Sequence, residues 1–146
     1  MCMMLYAGTE NKIPRKQWTK DAPDISVADL NRDEEPVKVH FNKPEVQNIG
    51  STSGCGCDFP NSLLQNGEWP YYDDPEDDPE QRRTEQYNRK ALVELLAATA
   101  EKEIELYALW WGSFAEPPLV EERISLGTIL QVDFRFKERG FYRVRA

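Results

Sequence analysis

Residues 78–111 have the sequence DPEQRRTEQYNRKALVELLAATAEKEIELYALWW, and this stretch decides the fold. Asp78 can cap a helix, Pro79 suits the first helical position, and Gln81 occupies the third residue of a capping box. Apolar residues then recur at helical spacing. We predict a long helix from about Pro79 to Glu101, and its buried stripe comprises Ala91, Leu92, Leu95, Leu96 and Thr99.

The end of this stretch, residues 103–111, allows two interpretations. The helix could continue to Trp111, but Glu103 would then lie on the buried face. Alternatively a strand begins here, because glutamates alternate with Ile104 and Leu106, and aromatic residues favour sheets. We therefore predict a strand.

Short apolar segments elsewhere predict the rest of a sheet. They are residues 2–7, 37–41, 46–49, 132–136 and 141–144, the last two joined as a hairpin in which Gly140 has a positive φ. Ser26 and Ser125 are expected to cap single helical turns. The sum is an α+β fold: one domain, residues 1–146, with a mixed or antiparallel sheet of five to six short strands packed against one long helix. An acidic, proline-rich linker is expected at about 68–79, inside that domain.

The composition excludes several classes of protein. The chain of 146 residues is 40% hydrophobic and 30% charged, which is a globular profile, and it has no apolar segment long enough to cross a bilayer. Its net charge of -8 argues against a grip on nucleic acid, because binding to phosphates needs Lys and Arg. We expect a cytoplasmic protein that binds neither nucleic acid nor membrane and whose partner, if it has one, is another protein or a second copy.

The most distinctive chemistry lies in residues 50–60, GSTSGCGCDFP. Cys55 and Cys57 flank one glycine, and residues two apart in an extended chain point to the same side. With the third cysteine, Cys2, and the only histidine, His40, they make a Cys₃His set that would suit zinc. The spacing departs from that of structural zinc sites, which usually have two pairs of cysteines, each pair two to four residues apart.

Two other interpretations of this loop stay open. Cys55 and Cys57 could cycle between dithiol and disulfide, and a bond closed across one residue would be strained and easily reduced. Alternatively, the glycines make a tight turn and the cysteines fill space beneath it. Neither interpretation establishes an enzyme, and the familiar phosphate-loop, dinucleotide, zinc-protease and serine-hydrolase motifs are absent from the sequence.

A function without catalysis also fits the sequence. Trp110 and Trp111 are adjacent, so on a strand they face opposite sides and cannot share one core. Together with Trp69, Tyr71 and the acidic run, they could form a surface that binds another protein. The sequence thus offers a thiol centre and, as the alternative, a non-catalytic interaction module.

Overall fold

The structure is a computed structural model that describes residues 2–62 and 78–146. Its main sheet has six strands in the order β2-β3-β1-β5-β8-β6, and a second sheet pairs β4 with β7. The strands are β1 (Met3–Thr9), β2 (Ser26–Asp29), β3 (Glu45–Gly50), β4 (Asn61–Ser62), β5 (Glu103–Trp110), β6 (Val120–Ser125), β7 (Phe136–Lys137) and β8 (Gly140–Arg145). The helices are α1 (Pro79–Ala98), α2 (Leu126–Ile129) and a 3₁₀ helix (Glu35–His40). Neighbours in the main sheet are antiparallel except β6 and β8, which confirms the mixed sheet of an α+β fold.

The centre of the sheet is the antiparallel pair β1 and β5, aligned from Met3 opposite Trp110 to Gly8 opposite Glu105. Every residue of β1 is buried, because both faces of the sheet are covered. This explains why the first apolar run of the chain shows no alternation with polar residues. The strand chosen for residues 103–111 is confirmed as β5.

Two apolar clusters lie on opposite faces of the sheet. One contains Met3, Leu5 and Leu106 and packs against Leu92 and Leu96 of α1. The other is rich in aromatic rings and is covered by the 3₁₀ helix and the chain that follows β5. Its members are Met4, Tyr6, Val37, Phe41, Val46, Tyr107, Leu109, Phe114 and Phe141.

The long helix begins where the sequence predicts, at Pro79, and the Asp78 side chain accepts hydrogen bonds from the next backbone N–H groups. It ends at Ala98, three residues earlier than predicted. Leu92 and Leu96 are buried as expected, whereas Ala91, Leu95 and Thr99 are half-buried. Toward the N-terminus the buried residues are polar: Glu85, Asn88 and Arg89.

The strand predicted for residues 37–41 is wrong: residues 35–40 form the 3₁₀ helix. Pro36 at its start sets a helical φ; Val37 inside the helix and Phe41, the residue after it, are both buried. Val39, which a strand would have buried with them, is 77% exposed. The alternation of Val37, Val39 and Phe41 with polar residues therefore indicated the period of a strand for a segment that is helical.

Two further local predictions are wrong. Ser26 does not cap a helical turn but begins β2, which pairs with β3, so sheet pairing overrides the local capping signal. β7 and β8 do not pair with each other: β7 joins β4, while β8 lies between β5 and β6. The positive φ of their turn belongs to Arg139, at 54°, not to Gly140. The turn capped by Ser125 is confirmed as α2.

The acidic linker predicted at 68–79 lies outside the described residues up to position 77, as do Trp69 and Tyr71.

Candidate metal centre

The glycine-rich loop after β3 is held against the beginning of β1. β3 ends at Gly50, and the backbone N–H of Gly56 then donates to the carbonyl of Met3 at 2.8 Å. The approach leaves no room for a side chain, since a Cβ on Gly56 would lie 2.8 Å from the Met3 oxygen and 3.2 Å from the Leu5 nitrogen. The glycine between the cysteines therefore places them beside Cys2.

Hydrogen bonds within the loop fix its shape. Ser51 is fully buried; its N–H donates to the Cys55 carbonyl at 2.6 Å, and its Oγ accepts from the N–H of Asp58 at 3.2 Å. Asn61 Nδ2 donates to the carbonyl of Gly56 at 2.7 Å. Because these bonds hold the backbone on both sides of Cys55 and Cys57, only side-chain rotation is left to place their sulfurs.

Two residues outside the loop that sequence reasoning missed anchor it. Asn88 of α1 is fully buried, and its side chain both accepts from the N–H of Thr52 and donates to Thr52 Oγ1, each at 3.0 Å. Trp18 Nε1 donates to the Thr52 carbonyl at 3.0 Å, and its ring covers Gly54, which has a φ of 89°. A polar residue one turn before Leu92 on the apolar side of a helix was the available signal for Asn88.

The three cysteines form one cluster. The Sγ atoms of Cys2, Cys55 and Cys57 all lie within 4.8 Å of one another, and all three are free thiols. Cys2 is exposed and the other two are half-buried. Cys57 packs against the cluster that faces α1, and Cys55 against the aromatic cluster on the opposite face. The sequence prediction that these sulfurs, from distant parts of the chain, come together is confirmed.

The surroundings give the three thiols different acidities. Burial raises the pKa of Cys55, but contacts from the Cys57 thiol, the Cys57 backbone N–H and the Ser53 hydroxyl outweigh burial, and the net direction is down. Burial and the neighbouring Cys55 raise the pKa of Cys57 to about 12. The pKa of Cys2 is also raised, chiefly by its hydrogen bond with Cys55. Of the three thiols, Cys55 is therefore the one that these surroundings favour as a thiolate.

This donor set suits a thiophilic metal ion. A tetrahedral zinc site with Zn–S bonds of about 2.3 Å has sulfurs about 3.8 Å apart, so sulfurs within 4.8 Å need only small side-chain rotations to reach an ion. A bound cation would displace the remaining protons, since coordinated thiols are deprotonated. Donors to sulfur from Cys57, Met3 and Ser53 resemble the outer partners that orient metal ligands.

His40, the fourth predicted ligand, is not brought into this cluster. It is the last residue of the 3₁₀ helix, and its Nε2 lies 2.9 Å from the carbonyl oxygen of Phe114. The centroids of its ring and of the Tyr107 ring are 5.1 Å apart in an edge-on arrangement. Within residues 2–62 and 78–146, the group that can hold an ion consists of the three cysteines.

The predicted aromatic surface is divided. Trp110 is half-buried against the core that faces α1, whereas Trp111 is 42% exposed and meets Phe114 edge-on at 5.0 Å. The backbone N–H of Trp111 donates to the carbonyl of Cys2 at 2.9 Å, which holds the end of β5 beside the start of β1. Of the four aromatic residues proposed for partner binding, Trp111 is the one the structure describes as exposed.

Comparison of the chain with known proteins finds no match. No protein-family model, no curated protein and no solved structure matches it. In the part of the chain that the structure describes, no helix has the length and apolar character to cross a membrane. Function therefore has to be argued from the chemistry of the cysteine cluster.

Proposed function

We propose that this protein binds a thiophilic metal ion, zinc in the first place, through the thiolates of Cys2, Cys55 and Cys57. One observation carries the proposal: three sulfurs from two distant segments lie within 4.8 Å of one another at the edge of a rigid loop. Zinc takes cysteine thiolates readily, and its tetrahedral geometry matches sulfurs this close together. A cytoplasmic location, which keeps thiols reduced, belongs to the same proposal.

The way the loop is built supports metal binding over simple packing. A cysteine that only fills space needs no hydrogen-bond partner, yet Ser53 Oγ lies 3.6 Å from the Cys55 sulfur, within hydrogen-bond distance. Cys2 is exposed, so an ion can reach the cluster from solvent. A hydroxyl donor beside Cys55 stabilises the negative charge that a thiolate ligand carries.

Metal analysis of the full chain tests the proposal directly. Protein purified under reducing conditions with zinc present should hold about one zinc per chain after desalting, and its thiols should react with a thiol reagent only after a chelator is added. Cobalt should bind the apoprotein with sulfur-to-metal charge-transfer absorption. Absence of both metals together with three freely reactive thiols would refute the proposal.

Single substitutions assign the ligands. Cys2→Ser, Cys55→Ser and Cys57→Ser should each weaken zinc binding more than about 100-fold, since even outer partners of metal ligands cost 10–100-fold. His40→Asn is the matched control, because it removes the other candidate ligand and should leave the metal content and affinity unchanged. A variant pattern in which His40→Asn loses metal and Cys2→Ser keeps it would overturn the assignment.

A second candidate function is thiol redox chemistry, favoured by the closeness of three free thiols, whose Sγ atoms lie within 4.8 Å of one another. The lowered pKa of Cys55 makes it the thiolate that attacks a disulfide sulfur of the oxidant and forms a mixed disulfide. The Cys57 thiol then attacks the Cys55 sulfur and releases the other half of the mixed disulfide. With glutathione disulfide as oxidant, two protein thiols form one disulfide and two glutathione molecules are released. Zinc should block this reaction if both functions use the same sulfurs. A protein whose thiols never form a disulfide with this oxidant has no such activity.

A non-catalytic interaction module stays a separate proposal. It would use Trp111, whose side chain is exposed, together with the acidic surface. Trp111→Ala tests it, because this change should abolish self-association or partner binding without altering metal content. A zinc-loaded protein that stays monomeric and whose behaviour Trp111→Ala does not change would count against it.

A further inference from the structure

The cysteine cluster supplies three ligands where zinc takes four. Within the described residues, no histidine, aspartate or glutamate joins the three cysteines. Asp58, next to Cys57 in sequence, accepts from Thr52 Oγ1 at 3.1 Å, and His40 lies against the Phe114 carbonyl. Protein sites with three ligands keep one position for an outside molecule, whereas purely structural sites have all four.

The loop does not need a metal to hold its shape. Gly56 is bonded to Met3, Ser51 to the carbonyl of Cys55, and Asn61 to the carbonyl of Gly56, and all three bonds are independent of the sulfurs. Many structural zinc sites supply the folding energy of the segment they hold, and such segments unfold without metal. Here hydrogen bonds supply that energy, so the ion can leave while the loop stays folded.

The charge around the cluster decides what an outside ligand should be. A divalent ion with three thiolates carries a net charge of about -1. The chain has a net charge of -8, and Asp58 is the sole ionisable residue besides the cysteines in the segment 50–60. An anionic ligand would add a second negative charge beside half-buried sulfurs, and like charges there repel. A neutral donor adds none.

Resting on the metal site proposed above, we propose that the bound ion keeps one coordination position open on the exposed side of Cys2 and accepts there a neutral nitrogen donor of a small molecule. The ion is then exchangeable, and the centre is one for ligand binding or metal transfer, not a permanent structural clamp. Water occupies the open position when no donor is present.

Cobalt is the probe, because its visible spectrum responds to each change in its ligands. The cobalt-loaded full chain is titrated with imidazole and, separately, with sodium azide at constant ionic strength. Imidazole should shift the visible bands in a saturable way with one site per cobalt, and azide should need at least tenfold higher concentration for a comparable change. His40→Asn is the control and should give the same titration.

A second measurement concerns exchange. The chelated protein should keep the circular dichroism spectrum of the metal-loaded form, and a chelator should remove zinc within the time of ordinary mixing. Unfolding on metal removal, or cobalt bands that no donor alters, would show a closed structural site and overturn the inference. Stronger binding of azide than of imidazole would overturn the charge reasoning. Failure to bind cobalt at all would instead refute the metal site itself.

Discussion

Gly56→Ala is the sharpest test of how the cysteine cluster is assembled, because it removes none of the three cysteines. An added Cβ would lie 2.8 Å from the carbonyl oxygen of Met3, and ordinary contact begins at 3.4 Å. The loop would have to move away from β1 by about 0.6 Å, the difference between those two distances. The obstructing atoms are backbone atoms of a central strand, which cannot rotate aside as a side chain does.

The movement has two consequences of predictable size. It breaks or stretches the hydrogen bond from Gly56 to Met3, worth about 1 kcal/mol, and adds overpacking of about 1–3 kcal/mol. The free energy of unfolding of the metal-free protein should therefore fall by about 2–4 kcal/mol. Zinc affinity should fall at least about tenfold, as it does when groups that orient ligands are disturbed.

The assay combines urea unfolding in the presence of a chelator with a competition titration for zinc. Gly127→Ala is the matched control, because the nearest atom to its added Cβ, Ser125 Oγ, lies at 3.7 Å and the residue is in α2. That variant should keep the metal affinity and lose no stability, since alanine favours helix over glycine. Unchanged stability and zinc affinity in Gly56→Ala would refute the close approach of the loop to β1.

Three other changes have definite expected outcomes. Tyr6→Phe should cost about 1–3 kcal/mol in urea unfolding, because the buried Glu34 loses a donor at 2.6 Å, whereas Tyr87→Phe removes an exposed bond and should cost less than about 0.5 kcal/mol. Equal costs would contradict the burial. Burial and the hydrogen bond with Glu34 also raise the pKa of Tyr6, so above about pH 10 the folded protein keeps a proton that the unfolded chain releases. The stability due to this tyrosine is therefore intact below about pH 10 and declines above it. In an alkaline titration of the free energy of unfolding, Tyr6→Phe should show a shallower decline. Asp78→Ala should destabilise the protein by about 0.5–2 kcal/mol through loss of the helix cap. Calorimetry that finds no change would contradict the role of this cap. Iodoacetamide at neutral pH should label Cys55 before Cys57, as measured by mass spectrometry of the peptides. Labelling in the opposite order would contradict this prediction.

Local signals predicted the elements whose stability is local or whose apolar pattern is long. The cap at Asp78 and Pro79 defined the start of α1, and eight residues of β5 were enough to favour a strand over a helix. Short segments failed where distant pairing decided the outcome. Ser26 begins a strand because β3 offers it a partner, and residues 136–137 leave the predicted hairpin because β4 does.

The candidate site divides in the same way. The spacing of Cys55 and Cys57 around a glycine indicated that their sulfurs could meet, and the buried first strand brought Cys2 into consideration. The local pattern could not place His40, because it indicated a strand at residues 37–41 where the structure has a 3₁₀ helix. Asn88 and Trp18, which anchor the loop through Thr52, are 36 and 34 residues from it in sequence.

The contact between Gly56 and the first strand has a consequence for folding. β1 is aligned with β3 by pairs such as Leu5 with Ile49, and the loop that continues from β3 meets β1 at Met3. A slip of β1 by one residue would turn every side chain of that strand to the other face, and Cys2 with them. An ion that binds three sulfurs stabilises only the alignment that gathers all three, by RT ln(1 + [L]/Kd). Zinc bound at the proposed site during refolding would therefore favour the native register of the central strand.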